Sequence, residues 1–211
     1  KYIRNNTVYR NNQMFLVTSP LMEKHFREQC GIDEDKVIRA GYPSCTQECK
    51  VNSYSSYQFK NREFASYNKV IAYTPTFRES ANNEFFVQAI PDMERLIDVL
   101  EKNNLLFIFK MHPLLSKDSQ YNEVKKLYEN HPNVLFWNNQ YDIYESFSQI
   151  DIAIIDYSSI FYDMLAGGVK SFIRYMFDID DKNNVRDFVF DVKEMTCGQE
   201  CNNFEELLSV L

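Results

Sequence analysis

The chain has 211 residues, of which 45% are hydrophobic and 25% are charged, a composition typical of a folded globular protein rather than a disordered one. Its formal net charge of -7 argues against the broad basic surface of a nucleic-acid binder and against simple electrostatic docking to anionic lipid, so we expect no nucleic-acid partner. No apolar run reaches the roughly 18 residues of a membrane span.

Residues 1–50 contain a single strand, helix, strand unit. The sequence predicts a strand over 14–18, a helix over 21–29 and a strand over 37–40. One such unit cannot bury a sheet by itself, and the chain starts with neither a Met nor a signal-peptide pattern. We therefore expect this segment to be the end of an N-terminal domain in a longer protein, followed by a polar linker over 51–66.

From residue 67 to 211, short apolar runs alternate with amphipathic stretches. The predicted strands are 70–73, 105–111, 134–137, 150–155 and 171–175. The predicted helices are 92–102, 121–129, 142–149, 158–166 and 203–211, with Asp142 as an N-cap and Gly167-Gly168 as a helix stop. This alternation predicts the α/β class, a Rossmann-like parallel sheet with helices on both faces.

The five cysteines are an odd number in a long chain, which does not indicate a secreted disulfide framework and favours a reducing cytoplasm. Cys45 and Cys49 share a spacing with Cys197 and Cys201, so a four-cysteine zinc site is conceivable. Because three intervening residues are at the loose end of ligand spacing and no His supports them, we expect free thiols, no metal and no cofactor.

Ligands of an open parallel sheet bind beyond the carboxyl ends of its strands, and four predicted strand ends are unusually polar. The candidate donor-site residues at these ends are Thr76, Arg78, Lys110, His112, Asp142, Asp156, Ser158 and Ser159. The chain lacks both Gly-x-Gly-x-x-Gly and a Walker loop, which argues against dinucleotide dehydrogenases and ordinary NTPases.

Three of these candidates, Ser158, Arg78 and His112, also have a structural explanation. Ser158 and Ser159 open a helix, where hydroxyls and free N–H groups favour a phosphate, but Ser158 taken alone is better explained as a cap. Arg78 suits bidentate phosphate binding, or it is a surface arginine. His112 is a candidate proton donor or phosphate partner, although a lone His is more often structural.

The order of these segments resembles that of the CDP-glycerol glycerophosphotransferase family. The resemblance rests on Gly41-Tyr42-Pro43, Tyr73-Thr74-Pro75-Thr76-Phe77-Arg78, Lys110-Met111-His112-Pro113, Asp142-Ile143-Tyr144-Glu145 and Asp156 to Asp163, with a later feature at Arg186 to Asp191. It implies the C-terminal, donor-binding half of a glycosyltransferase B arrangement. His112 would then be the catalytically important His, Arg78 and the Ser158-Ser159 turn would hold donor phosphates, and Asp142 would line the cleft.

The resemblance also implies partners and a location. The donor would be CDP-glycerol or CDP-ribitol, and the acceptor a teichoic acid or capsular polymer on a lipid carrier. The parent enzyme would be peripheral on the inner face of the bacterial cell membrane, with membrane contact through a portion outside this chain.

Two departures from the family pattern leave alternatives open. The Gly-Tyr-Pro segment continues with Ser44-Cys45-Thr46 instead of Arg, another residue and Asp, and the family's second His, in a His-Gly motif, does not occur in this chain. The sequence is also similar to sialic acid polymerases in its His-Pro and Ser-Ser pairing. A sugar transferase and a non-catalytic nucleotide-binding module therefore remain alternative functions.

Overall fold

The computed structural model describes residues 11–41, 66–78, 85–114, 118–181 and 188–211. Contacts divide the chain into two compact units, Lys1–Lys50 and Val51–Leu211. The predicted linker lies outside the described residues except for its last position. That residues 1–50 form the last part of an N-terminal domain stays a prediction.

The first unit contains the predicted strand, helix, strand unit. Strand β1 (Phe15–Val17) pairs in parallel with β2 (Val37–Arg39), and helix α1 (Pro20–Cys30) connects them together with a 3-10 turn at Glu34–Lys36. Helix α1 begins where the Ser19 side chain accepts a hydrogen bond from the Met22 amide, with Pro at the first helical position. It ends at Gly31, whose φ of 69° lies in the left-handed region.

The second unit contains one six-stranded sheet. Its strands are β3 (Lys69–Tyr73), β4 (Leu105–Phe109), β5 (Val134–Phe136), β6 (Ile152–Ile155), β7 (Ser171–Tyr175) and β8 (Gln199–Cys201). They lie in the order β5-β4-β3-β6-β7-β8, and every neighbouring pair is parallel.

This order reverses direction between β3 and β6, as in the Rossmann fold, and the two strands pair with Ile71 opposite Ile152. In such sheets the ligand crevice opens beyond the carboxyl ends of the two strands at the reversal. The topology therefore places Thr74 and Asp156, the residues that follow these two strands, at the crevice.

Helices cover both faces of this sheet. They are α2 (Phe85–Ala89), α3 (Met93–Lys102), α4 (Ser119–Tyr128), α5 (Ile160–Ala166), α6 (Val192–Met195) and α7 (Phe204–Val210), with a 3-10 helix at Tyr144–Gln149. Ile71 and Tyr73 point into the core beneath α2, α3, α4 and α7, whereas Val70 and Ala72 point into a second core beneath the 3-10 helix and α5. This alternation along β3 confirms the predicted α/β sheet with helices on both faces.

Some predicted elements differ from the observed ones. Asp142 does not cap an α-helix: its carboxylate accepts a hydrogen bond from the Tyr144 amide, two residues on, and a 3-10 helix follows. This short Asx turn satisfies the Tyr144 amide before any helix begins. At the end of α5, Gly167 is helical and Gly168, with a φ of 99°, makes the left-handed turn.

In the part of the chain that the structure describes, no helix is both long enough and apolar enough to cross a membrane.

Candidate functional site

The polar residues that follow β3 and β6 are joined by hydrogen bonds. The Asp156 carboxylate accepts one hydrogen bond from the Thr76 amide and one from the Thr76 hydroxyl, both at 2.7 Å. Asp156 is only 1% exposed. Because a buried carboxylate is costly unless its oxygens are paired, these bonds stabilise the charge and fix the two strand ends to each other.

Arg78 is buried and paired within the protein. Its Nε and one terminal nitrogen bind the two oxygens of Asp178 at 2.7 and 2.9 Å, a bidentate pair. Its other terminal nitrogen donates to Asp156 at 2.7 Å and to the Thr76 carbonyl at 2.6 Å. The side chain has no exposed surface, so the structure does not present this guanidinium to solvent.

We call Thr76, Arg78, Asp156 and Asp178 the strand-end clamp. Burial lowers the pKa of the Arg78 guanidinium, but hydrogen bonds to Asp178 and the charges of both carboxylates outweigh that effect and leave the pKa raised. Phe85 and Tyr157 lie against the guanidinium, with ring centres 4.8 and 4.4 Å from its central carbon. One guanidinium and two carboxylates give the clamp a formal charge of -1.

Lys110 and His112 follow β4, the strand that pairs with β3 on the side away from β6. The Lys110 amide donates to the Tyr73 carbonyl at 2.9 Å, which continues the β3–β4 pairing beyond the strand. Burial lowers the pKa of the half-buried Lys110 ammonium, and the nearby Asp142 carboxylate partly opposes this. Asp142 itself is exposed. An anionic ligand beside Lys110 would restore the stability of its charged form.

The His112 ring is held in one orientation. Its Nδ1 accepts a hydrogen bond from the Leu114 amide at 3.2 Å, so the proton of the neutral ring resides on Nε2. The ring lies 5.5 Å from that of Phe77, in the loop that carries Thr76 and Arg78. Loss of hydration and then the positive charge of Lys110 lower the pKa of His112. The lowered pKa favours the neutral imidazole, which offers Nε2–H as a donor.

Ser158 and Ser159 precede α5. The Ser158 hydroxyl oxygen accepts a hydrogen bond from the Ile160 amide at 3.4 Å, which is long for such a bond. The Ser159 side chain makes no capping hydrogen bond and is exposed. Ser158 thus has a weak capping contact, and neither hydroxyl donates a hydrogen bond to a residue that the structure describes.

The structure brings the predicted residues together in two groups. Thr76, Arg78 and Asp156 form the clamp, and Lys110, His112 and Asp142 are coupled through their charges. Sequence reasoning missed Asp178, although the residues after β7 share the same sheet edge as the four loops considered. Within the described ranges, no group of three or more His, Cys, Asp or Glu side chains is arranged to hold a metal ion.

Comparisons with known proteins give one consistent result. A family model described as CDP-Glycerol:Poly(glycerophosphate) glycerophosphotransferase matches residues 3–211. The teichoic acid poly(ribitol-phosphate) polymerase of Bacillus spizizenii is 28% identical over 214 residues, which cover 96% of this chain and 32% of that protein. The teichoic acid ribitol-phosphate polymerase TarL of Staphylococcus aureus is 30% identical over 202 residues, covering 88% of this chain and 33% of TarL. The chain thus spans about a third of the length of these relatives.

Solved structures support the fold class. The wall teichoic acid polymerase TagF matches with a TM-score of 0.76 and 24% identity, over 99% of this chain and 50% of that one. A structure of the same polymerase soaked with CDPG matches with a TM-score of 0.70 and 23% identity, over 96% of this chain and 49% of that one. The likeness confirms the α/β fold expected from the sequence.

Proposed function

The chain belongs to the CDP-glycerol:poly(glycerophosphate) glycerophosphotransferase family, and we propose that its second unit is the donor-binding half of a teichoic acid transferase. The donor is CDP-glycerol or CDP-ribitol, and the acceptor is a growing polyol-phosphate polymer on a lipid carrier. The enzyme works at the inner face of the bacterial membrane, and its membrane contact lies outside this chain. The proposed reaction uses no metal or other cofactor.

The observation that carries this proposal is the convergence of polar groups at the reversal between β3 and β6. In Rossmann-like sheets this crevice binds nucleotides. Lys110 supplies a positive charge after β4, next to β3, and His112 offers Nε2–H there. Ser158 and Ser159 follow β6 at the same edge of the sheet. These are the groups that an alkyl diphosphate needs as partners.

In the reaction we propose, a terminal hydroxyl oxygen of the polymer forms a bond to the β-phosphorus of the donor. The bond between that phosphorus and the bridging oxygen breaks, and cytidine monophosphate leaves with the electron pair. His112 donates Nε2–H to the diphosphate, and Lys110 stabilises the charge that develops on the leaving oxygen. The hydroxyl proton passes to a base that we place outside this chain, which has no His-Gly motif.

Isothermal titration calorimetry of the chain with CDP-glycerol, CDP-ribitol and CMP tests donor binding. We expect a CDP-polyol to bind, and His112→Ala to weaken that binding by about tenfold, the effect of losing one hydrogen bond to a charged group. UDP-GlcNAc and CMP-sialic acid are the matched competitors. Preferential binding of either competitor would favour a sugar transferase over a polyol transferase. Unchanged turnover of the complete enzyme carrying His112→Ala would contradict the role proposed for His112.

A further inference from the structure

We propose that Arg78 and Asp178 are positioning residues that set the geometry of the donor site, and that Arg78 does not itself bind a donor phosphate. This inference rests on the proposed function and deepens it. It assigns a role to Asp178, which follows β7, and it separates Arg78 from the groups that contact the nucleotide.

Most of the hydrogen-bond donors of Arg78 are already used within the protein. Four of its five N–H groups are used by Asp178, Asp156 and the Thr76 carbonyl, at distances from 2.6 to 2.9 Å. Two aromatic rings, Phe85 and Tyr157, lie against the guanidinium, and the side chain has no exposed surface. A phosphate could reach it only if a buried ion pair were first broken, which is strongly unfavourable.

The charge of the clamp also argues against direct phosphate binding. Arg78 is outnumbered by the carboxylates of Asp156 and Asp178, so the clamp presents a formal charge of -1 rather than a positive charge. An anion is not drawn to such a group. The attraction comes instead from Lys110, which is half-buried and interacts with the exposed carboxylate of Asp142.

The clamp connects three strand ends. Thr76 and Arg78 follow β3, Asp156 follows β6, and Asp178 follows β7, 100 residues after Arg78 in the chain. Asp156 is two residues before Ser158, and Phe77 lies between Thr76 and Arg78 while its ring contacts His112. Asp178 therefore holds Arg78 in place. Through Arg78 it fixes both the turn at Ser158 and the Phe77 ring that packs against His112.

The test compares Asp178→Asn with Arg78→Lys in the full 211-residue chain. If Arg78 is a positioning residue, both substitutions weaken CDP-glycerol binding by about tenfold, and the double variant is no more than about twice as weak as either, because the two side chains act as one unit. If Arg78 binds phosphate directly, Asp178→Asn frees the guanidinium. CDP-glycerol binding equal to or tighter than that of the unsubstituted chain, with loss only in Arg78→Lys, would overturn the proposal.

Asp180→Asn is the matched control, since it removes the same charge from an exposed position two residues from Asp178. It should leave CDP-glycerol binding unchanged. An equal loss in this control would mean that net charge rather than positioning is responsible, and the proposal would be wrong. Asp178→Glu keeps the charge and moves the carboxylate by one methylene, so it should give an intermediate loss even if Asp178→Asn proves poorly folded.

Amide hydrogen exchange at Thr76 gives a readout that does not depend on the nucleotide. The Thr76 amide donates to Asp156, so loosening the clamp at Asp178 should speed its exchange by about tenfold or more while β4 amides such as that of Phe107 keep their rates. Unchanged exchange at Thr76 would overturn the positioning role. If the unsubstituted chain failed to bind any CDP-polyol, the proposed function would fall, while this measurement would still decide the role of Asp178.

Discussion

Asp156 accepts hydrogen bonds from both the amide and the hydroxyl of Thr76, 80 residues earlier in the chain, each at 2.7 Å. The same carboxylate pairs with Arg78, so one side chain satisfies donors from two positions after β3. This arrangement explains how a charged group remains stable at 1% exposure. It also predicts that stability and ligand binding depend on the same few atoms.

Asp156→Asn should lower the free energy of unfolding by about 3 kcal/mol, because the amide cannot accept at both ends and leaves buried donors unpaired. Urea denaturation followed by circular dichroism measures the change. Asp98→Asn, at an exposed position on α3, is the control and should change stability by less than about 0.5 kcal/mol. Equal effects of the two substitutions would contradict the importance of the Thr76–Asp156 contact.

His112 should titrate below its ordinary pKa of 6.5, because loss of hydration and the charge of Lys110 both disfavour the imidazolium. The unfolded chain then binds more protons near pH 6.5 than the folded one, so the contribution of His112 to stability is complete above pH 6.5 and is lost as pH falls. Lys110→Gln should raise the titration midpoint of His112 only part of the way to 6.5, because the loss of hydration still lowers its pKa.

A pH titration by proton–nitrogen NMR, with the His112 signal assigned through His112→Gln, measures this midpoint. Lys126→Gln, an exposed lysine on α4, is the control for charge and should not move it. A midpoint at or above 6.5 in the unsubstituted chain would contradict the lowered pKa of His112, and an unchanged midpoint in Lys110→Gln would show that Lys110 does not act on His112.

Leu114→Pro should change the tautomer of His112, because proline has no N–H to donate to Nδ1. The Leu114 side chain is 49% exposed, so little packing is lost. Nitrogen-15 chemical shifts should show a proton on Nε2 in the unsubstituted chain and a mixture of tautomers in the proline variant. Leu114→Ala keeps the amide and should keep the single tautomer; a mixture there too would mean that the amide does not select it.

Gly167→Ala should destabilise the second unit by about 2 kcal/mol through overpacking. A Cβ at this position would lie 2.5 and 2.8 Å from two side-chain atoms of Phe147, a buried residue of the 3-10 helix. Thermal unfolding gives the measurement, and Phe147→Leu in the same chain should recover part of the loss. If the double variant lost the full sum of both single effects, steric contact with Phe147 would not be the cause.

The sequence predicts the sheet well where strands are apolar and buried. Strand β7 has the predicted bounds, whereas β8, with the sequence Gln-Glu-Cys at the sheet edge, carries no apolar run that could reveal it. The 3-10 helix at Tyr144–Gln149 was expected as an α-helix because the spacing of apolar residues does not distinguish the two. The Asx turn at Asp142, which occupies the Tyr144 amide, accompanies the difference.

The site is predictable in its location and less so in its contacts. The strand-end rule locates Lys110 and His112 correctly at the sheet edge, because position after a buried strand is visible in sequence. The burial of Arg78 is not visible, since its partner Asp178 lies 100 residues away and no periodic pattern links the two. A guanidinium that suits a phosphate suits a carboxylate equally well, and only the fold decides between them.

The clamp limits which amino-acid substitutions this chain can accept during evolution. Replacing Arg78 alone leaves two buried carboxylates without their cation, and replacing Asp156 or Asp178 alone leaves buried N–H donors of Arg78 unpaired. Single steps are therefore blocked even where a complete apolar replacement would be tolerated. Among related chains we expect these three positions to be kept together or replaced together. They should therefore covary, although they follow three different strands.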